Sequence, residues 1–473
     1  MNDTRHHQIV EASPRVAIVV DNPRRDLRGL VLLAHEFTKL GALAYLVPMY
    51  QQGYDLPLLA PDLVVVNYAR ENNRSLLETY RALHYRVAVL DTEGGVLSES
   101  GLDSPANWAR GIRQSGLAAL VHDYCFWGEA VRDAFVEHSG MDAEALAVTG
   151  CPRYDLCCAP WSEVLEYERR GFVLVNTNFS AINPQFTRSA EDESRIFKSL
   201  GWEADYVEKL FDELKAVFPR YLDAVELIAR TFPAKTVLVR PHPFENPQIY
   251  RDRFAGLSNV IVDGAGDILN AIFAADCVVH LNCGSAVDTV RLGKLPISLE
   301  YLNTERMRRH APLPSRLSCP AGDPEMLLSL IADPDAAVAG YDKIMISREV
   351  GRWYHLSDGL SARRVATFLM SRLGDRQPAA RRSLGAAVRG GRSRASALQV
   401  LRGALGALAG SKPVSTLAEL VQRSRRQKRI ELPFVIGLLE QYCRLDDGVP
   451  ALASIVRNPL TGAPLSTIAV RKK

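Results

Sequence analysis

Short apolar runs rich in β-branched residues recur along this chain, each followed by a stretch with apolar residues at helical spacing. Arg15–Val20 (RVAIVV), Ala44–Val47, Leu63–Asn67 (LVVVN) and Val87–Leu90 have the length and character of strands buried on both faces. Between them, Asp26–Lys39 places Leu27, Leu30, Leu33, Ala34 and Phe37 on one helical face, and Ser75–Leu83 reads as a second helix. Parallel neighbours need a crossover, so this alternation predicts an open parallel sheet with helices on both faces. The pattern restarts at Phe172–Asn176 (FVLVN) and continues through Thr236–Arg240 (TVLVR), Val260–Val262, Cys277–His280 (CVVH) and Pro296–Leu299 (PISL). Ala204–Thr231, Asp267–Ala274 and Asp288–Leu292 are the helices expected among them. The expected fold class is α/β, with two Rossmann-like lobes at 15–160 and 161–375 and a cleft between them. A chain of 473 residues is long enough for both.

Outside these blocks the pattern fails. Residues 1–14 are polar, with no apolar core of a secretory signal, and are expected to form a flexible leader. Residues 376–414 are rich in Ala, Gly, Arg and Ser and read as a basic linker, while 415–473 regain helical periodicity over Leu417–Tyr442 and read as a small helical extension. From Arg376 to Lys473 there are 18 Lys/Arg against 5 Asp/Glu, whereas the preceding residues carry 39 against 49. An acidic body with a basic tail implies an anionic partner. Aromatic residues are sparse among the tail's cations, which argues against single-stranded nucleic acid and favours the anionic inner-membrane surface. No apolar run reaches the ~20 residues of a membrane span. The eight cysteines show no CxxC or zinc spacing, so they are expected as buried thiols in the cytoplasm.

In an open parallel sheet, ligands bind beyond the carboxyl ends of the strands, which selects the loops that matter. Asp91-Thr92-Glu93-Gly94-Gly95 follows a strand, and its two carboxylates can serve as general base or acid. Arg240-Pro241-His242-Pro243-Phe244-Glu245 follows another, where two prolines stiffen a loop whose guanidinium and imidazole suit phosphate oxygens. His280-Leu281-Asn282-Cys283-Gly284-Ser285 leads into a helix, with Ser285 offering a hydroxyl to a phosphate and Asp288 able to reach a ribose. Asn176 and Asn178 follow the first strand of the second lobe. Asp21 and Arg24 hold the equivalent place in the first, where Arg24 and Arg25 can meet an anionic acceptor. The one DxD, Asp333-Pro334-Asp335, lies between helices and reads as a turn, so no metal site is expected.

Taken in order, Asp26-Leu27 with Leu32-Leu33-Ala34, Asp91-Thr92-Glu93-Gly94, Phe126-Trp127-Gly128, Thr149-Gly150-Cys151-Pro152-Arg153-Tyr154-Asp155, Val175-Asn176-Thr177-Asn178-Phe179-Ser180, the Arg-Pro-His-Pro run and the Asn-Cys-Gly-Ser turn resemble the bacterial surface carbohydrate biosynthesis proteins. These are related to capsule-synthesis and nucleotide-sugar transferases of the GT-B fold. The resemblance spans about Ile18 to Leu299 and leaves the last hundred residues uncovered. Similarity to bacterial sialyltransferases and Kdo transferases implies Glu93 (or Asp91) as acid/base, and His242 and Ser285 as contacts of the donor's phosphate. It places a CMP-linked ulosonic acid among the donors to consider. Gly284 stands where relatives often carry a hydroxyl residue, Asp288 where a Glu is usual, and Asn176 and Asn178 where retaining Kdo transferases use an Asp nucleophile.

The function expected is a metal-independent, cofactor-free glycosyltransferase for surface polysaccharide or glycolipid. It would take a nucleotide-sugar donor and a glycan or lipid-linked acceptor, work in the cytoplasm at the inner membrane face, and bind no nucleic acid. Gly94, Gly95, Asp21, Arg24, Asn176, Asn178 and Glu245 are expected as further cleft contacts. Two other readings fit the same motifs: a non-hydrolysing nucleotide-sugar epimerase, and a non-catalytic assembly factor of the same fold.

Overall fold

The computed structural model describes residues 13–91, 104–199, 201–374, 428–446, 450–459 and 461–473. The first twelve residues of the expected leader, the linker 376–414 and the Glu93-Gly94-Gly95 motif lie outside the described residues.

Two compact α/β units divide the chain. The first contains β1 (Arg15–Val20), β2 (Leu43–Pro48), β3 (Leu63–Val66), β4 (Arg86–Leu90), β5 (Asp123–Phe126) and β6 (Leu146–Val148). The second contains β7 (Phe172–Asn176), β8 (Thr236–Arg240), β9 (Val260–Val262), β10 (Cys277–His280), β11 (Leu295–Ser298) and β12 (Cys319–Pro320). A last pair, β13 (Ala451–Arg457) and β14 (Pro464–Lys472), returns to the first sheet. The orders are β13-β14-β2-β1-β3-β4-β5-β6 and β12-β11-β10-β7-β8-β9. All pairings among β1–β12 are parallel.

The inner strands β7, β10 and β11 of the second sheet are buried on both faces, as their continuous apolar runs require. On β7, Val173 and Val175 join the core under the long helix Ala204–Thr231, while Phe172 and Leu174 join a separate core with Ala271 and Ile272 of the helix Ile268–Ala274. The period-2 alternation of a strand thus feeds two layers of helices.

Three features differ from the sequence reading. The strand β5, which the sequence reading does not name, begins on Asp123, a charge fully buried and salt-bridged to Arg86 and Arg372. The helix Ser361–Leu373, assigned by sequence to the second lobe, belongs to the first unit. The Asp155 carboxylate caps it, accepting the Ser361 and Ala362 amides at 2.9 and 2.7 Å. Finally, the C-terminal extension is only partly helical. Leu432–Leu445 is a helix, but β13 and β14 form an antiparallel pair, and β14 lies antiparallel on β2, burying Ile468 and Val470. β-Branched residues flank the turn, Ile455 and Val456 before it and Thr467, Ile468 and Val470 after it, and the Gly462 amide closes the turn on the Asn458 carbonyl at 2.8 Å, which explains the hairpin.

Candidate functional site

In the second sheet the chain runs from β7 to β8 and β9 on one side, then crosses to β10, β11 and β12 on the other. The switch point therefore lies between β7 and β10, whose register sets Asn176 opposite His280. Around it, the loops after β7, β8 and β10 are tied into one assembly.

Thr177 and Glu245 tie the loops after β7 and β8 together. The Thr177 hydroxyl lies 2.9 Å from both Glu245 carboxylate oxygens. The Phe179 amide donates to the same carboxylate at 2.8 Å, and the Tyr250 hydroxyl donates to it as well. The His242 amide in turn donates to the Thr177 oxygen at 3.1 Å. Glu245 is 1% exposed, and burial pushes its pKa above the ordinary carboxylate range. It fixes the loop's shape and presents no carboxylate to a ligand, which corrects its expected place as a cleft contact.

His242 is half-buried at the head of this braced loop. Its Nδ1 accepts the Phe244 amide at 3.2 Å, which assigns the ring proton of the neutral imidazole to Nε2. An Nε2–H donor suits a phosphate oxygen. Arg240 is employed differently from the sequence expectation. Its guanidinium donates to the Ala265 and Gly266 carbonyls at 2.6 and 2.5 Å, so it shapes the loop after β9.

On the other side of the switch point, Asn282 adopts φ +51°, a left-handed conformation that Asn tolerates better than most residues. Its amide pairs reciprocally with Asn303 at 2.8 and 3.1 Å and accepts Ser315 Oγ at 3.0 Å. The Asn282 carbonyl accepts the Asn178 amide at 3.1 Å. Asn282 therefore positions the turn, where the sequence reading gave its side chain to a phosphate. Ser285 Oγ accepts from Asn176 Nδ2 at 2.8 Å and donates to Cys283 Sγ at 3.1 Å. Asp288 is buried in the first turn of the helix Ser285–Arg291. Beneath the turn, His280 is fully buried and burial pushes its pKa down to about 4. Its Nδ1 accepts the Cys283 amide at 3.3 Å and its Nε2 donates to Ser318 Oγ at 2.8 Å.

The first unit has its own switch point, between β1 and β3. A cavity of about 430 Å³, including space open to solvent, lies there, lined in part by Asp26, Asp91, Trp127 and Arg153. A Cβ on Gly29 would stand 2.6 Å from the Arg153 nitrogen, so this helix position needs glycine for the wall to close. Asp91 follows β4 at 3% exposure, with the Arg70 guanidinium 3.8 Å away. Asp21 pairs with Lys428 at 2.7 Å and with Arg25 at 3.4 Å. Arg24 is exposed on the first helical turn.

Sequence reasoning quoted Thr177, the bond centre of the loop assembly, within its motif but gave it no role of its own, and did not name Lys428, a tail residue that pairs with Asp21 just beyond the carboxyl end of β1. Thr177 lies between the two asparagines that were named, and only its neighbours' geometry reveals its role. Among the described residues no three His, Cys, Asp or Glu side chains converge as a metal-ligand group. Asp333 of the DxD caps the helix Pro334–Ala339. None of the eight cysteines is in a disulfide. Among the described residues no helix is long and apolar enough to cross a membrane.

No protein-family model matches this chain, and no curated protein sequence does. Solved structures are similar to it at low identity. The UDP-GlcNAc 2-epimerase from Neisseria meningitidis, bound to UDP-GlcNAc, is 12% identical over 76% of this chain and 100% of that one, with a TM-score of 0.45. The UDP-GlcNAc 2-epimerase from Methanocaldococcus jannaschii is 13% identical over 76% and 99%, with a TM-score of 0.42. The wall teichoic acid polymerase TagF is 12% identical over 77% and 90%, with a TM-score of 0.45. At that distance the architecture of this chain rests on its own strand order.

Proposed function

We propose that this chain is a glycosyltransferase of the GT-B kind that uses a nucleotide-activated sugar to build a surface polysaccharide or glycolipid. The observation that carries the reading is the braced loop assembly at the second unit's switch point, in which the His242 amide hangs from Thr177 while Asn176, the residue before Thr177, bonds Ser285. The donor's phosphate sits there, held by Nε2–H of His242 and by the Ser285 hydroxyl, which turns its proton from Cys283 Sγ to the phosphate. Glu93, or Asp91, removes the acceptor's hydroxyl proton as its oxygen bonds to the anomeric carbon. The bond from that carbon to the phosphate oxygen breaks, and the nucleotide leaves with the electron pair. Donors aimed at that oxygen stabilise the charge it gains. Metal is not required in this scheme. The acceptor is a glycan or a lipid-linked glycan, and the basic tail meets the anionic inner-membrane surface.

The test is turnover with and without acceptor. CMP-, CDP-, UDP- and GDP-linked sugars are each incubated with the protein alone and then with lipid-linked oligosaccharide. Nucleotide release that depends on acceptor supports the proposal. Isomerisation of a donor with no acceptor present would make the chain an epimerase instead. Tight nucleotide binding without either reaction would leave a non-catalytic assembly factor.

A further inference from the structure

The loops after β7 and β8 are held together more firmly than phosphate binding by His242 alone needs. Beyond the Thr177–Glu245 centre, the Gln185 amide donates to the Phe244 carbonyl at 2.8 Å. The Asn246 amide donates to the Asn183 carbonyl at 3.0 Å, and Asn183 Nδ2 donates back to the Asn246 carbonyl at 3.0 Å. Pro184 and Glu245 form an antiparallel bridge, and Pro243 fixes its own φ between His242 and Phe244. This clasp carries an aromatic ring outward: Phe244 is 60% exposed. Its ring meets Phe186 edge-on, with centroids 5.7 Å apart, and lies 5.5 Å from the His242 imidazole.

A phenyl so exposed adds little to the core, yet its backbone is held on both sides. A rigid aromatic face costs little entropy when a flat ligand surface lies on it. The phosphate of a nucleotide-sugar has a ring on either side, the ribose and the transferred sugar, whereas the base lies beyond the ribose; only the transferred sugar is lost in the free nucleotide. The 5.5 Å spacing from His242 matches a ring next to the phosphate.

We infer that Phe244, backed by Phe186, is the stacking platform for the transferred sugar ring of the donor, whose C–H face lies on the phenyl. The inference rests on the phosphate role proposed for His242. It adds a specificity determinant: a ring with an apolar face is preferred to an acyclic group at this place.

Calorimetry on the full chain tests it with two pairs of probes, UDP and UDP-N-acetylglucosamine, CMP and CMP-N-acetylneuraminate. For the pair that binds, Phe244→Ala is expected to weaken the nucleotide-sugar about 3- to 10-fold and leave the free nucleotide unchanged. Phe244→Tyr is expected to restore the wild-type ratio. An equal loss for both ligands would place the ribose or the base on the phenyl and overturn the inference, as would no loss for either. If neither pair binds the wild-type chain, CDP- and GDP-linked sugars with their free nucleotides take their place, and binding of none of the four kinds means that the proposed function itself fails. Because Phe244 is exposed, a thermal melt unchanged by the substitution shows that the fold is kept.

Discussion

The Thr177 hydroxyl and the Glu245 carboxylate join the loops after β7 and β8, and the His242 amide hangs from the same hydroxyl oxygen. Removing the carboxylate leaves the Phe179 amide, the Tyr250 hydroxyl and Thr177 without their shared acceptor. Each buried polar group left unpaired costs about 1–3 kcal/mol. With three such groups, Glu245→Ala should therefore lower stability by at least about 3 kcal/mol in urea unfolding. Nucleotide affinity should fall with it, because the loop that carries His242 loses its tie. Thr177→Val should act in the same direction and more weakly.

Two buried groups are expected to oppose one another in acid. Burial pushes the Asp155 pKa up to about 6, despite the two amides that favour its charged form. A raised carboxyl is protonated in the fold before it is in the unfolded chain, so its contribution to stability falls as pH rises from about 4 to about 6. His280, pushed down to about 4, behaves oppositely: the unfolded chain takes up the proton first, and stability is lost as pH falls from about 6.5 towards 4. Each effect is at most on the order of 3 kcal/mol. Thermal melts between pH 4 and 7 check this. Asp155→Asn should steepen the loss of stability in acid, and His280→Gln should flatten it.

The hairpin β13–β14 covers the edge of β2 and buries Val470 and Ile468. Val470→Asp should destabilise the first unit by several kcal/mol, since it buries an unpaired charge. It should also promote aggregation by uncovering a strand edge. Light scattering during a thermal ramp reads both effects.

Glu93→Gln is expected to abolish sugar transfer while leaving nucleotide affinity within about threefold of the wild type, because the amide keeps the shape and loses the basicity. A rate assay paired with calorimetry separates the two. Unchanged turnover would pass the acid/base role to Asp91.

Much of the frame is legible in the sequence. Buried parallel strands write themselves as continuous β-branched runs, and β1, β7, β8, β9 and β10 fall on the residues their patterns indicate. The loops at their carboxyl ends are legible for the same reason. What each side chain does there is less so. Arg240 reads as an anion ligand, yet its guanidinium goes to two carbonyls of a loop twenty-five residues away in sequence. Asn282 and Glu245 likewise look like ligand contacts and act as braces. Polar side chains near a site divide between ligand and scaffold according to partners distant in sequence. β5 and the C-terminal hairpin escape because a paired Asp starts one and turn chemistry defines the other.

The most direct measurement is calorimetric titration of the wild type and His242→Ala with CMP, CDP, UDP and GDP. The account predicts that the wild type binds at least one of them and that the substitution weakens it at least tenfold, as expected for loss of a charge-assisted phosphate contact. Equal affinity in the two proteins, or no binding of any of the four to the wild type, would contradict it.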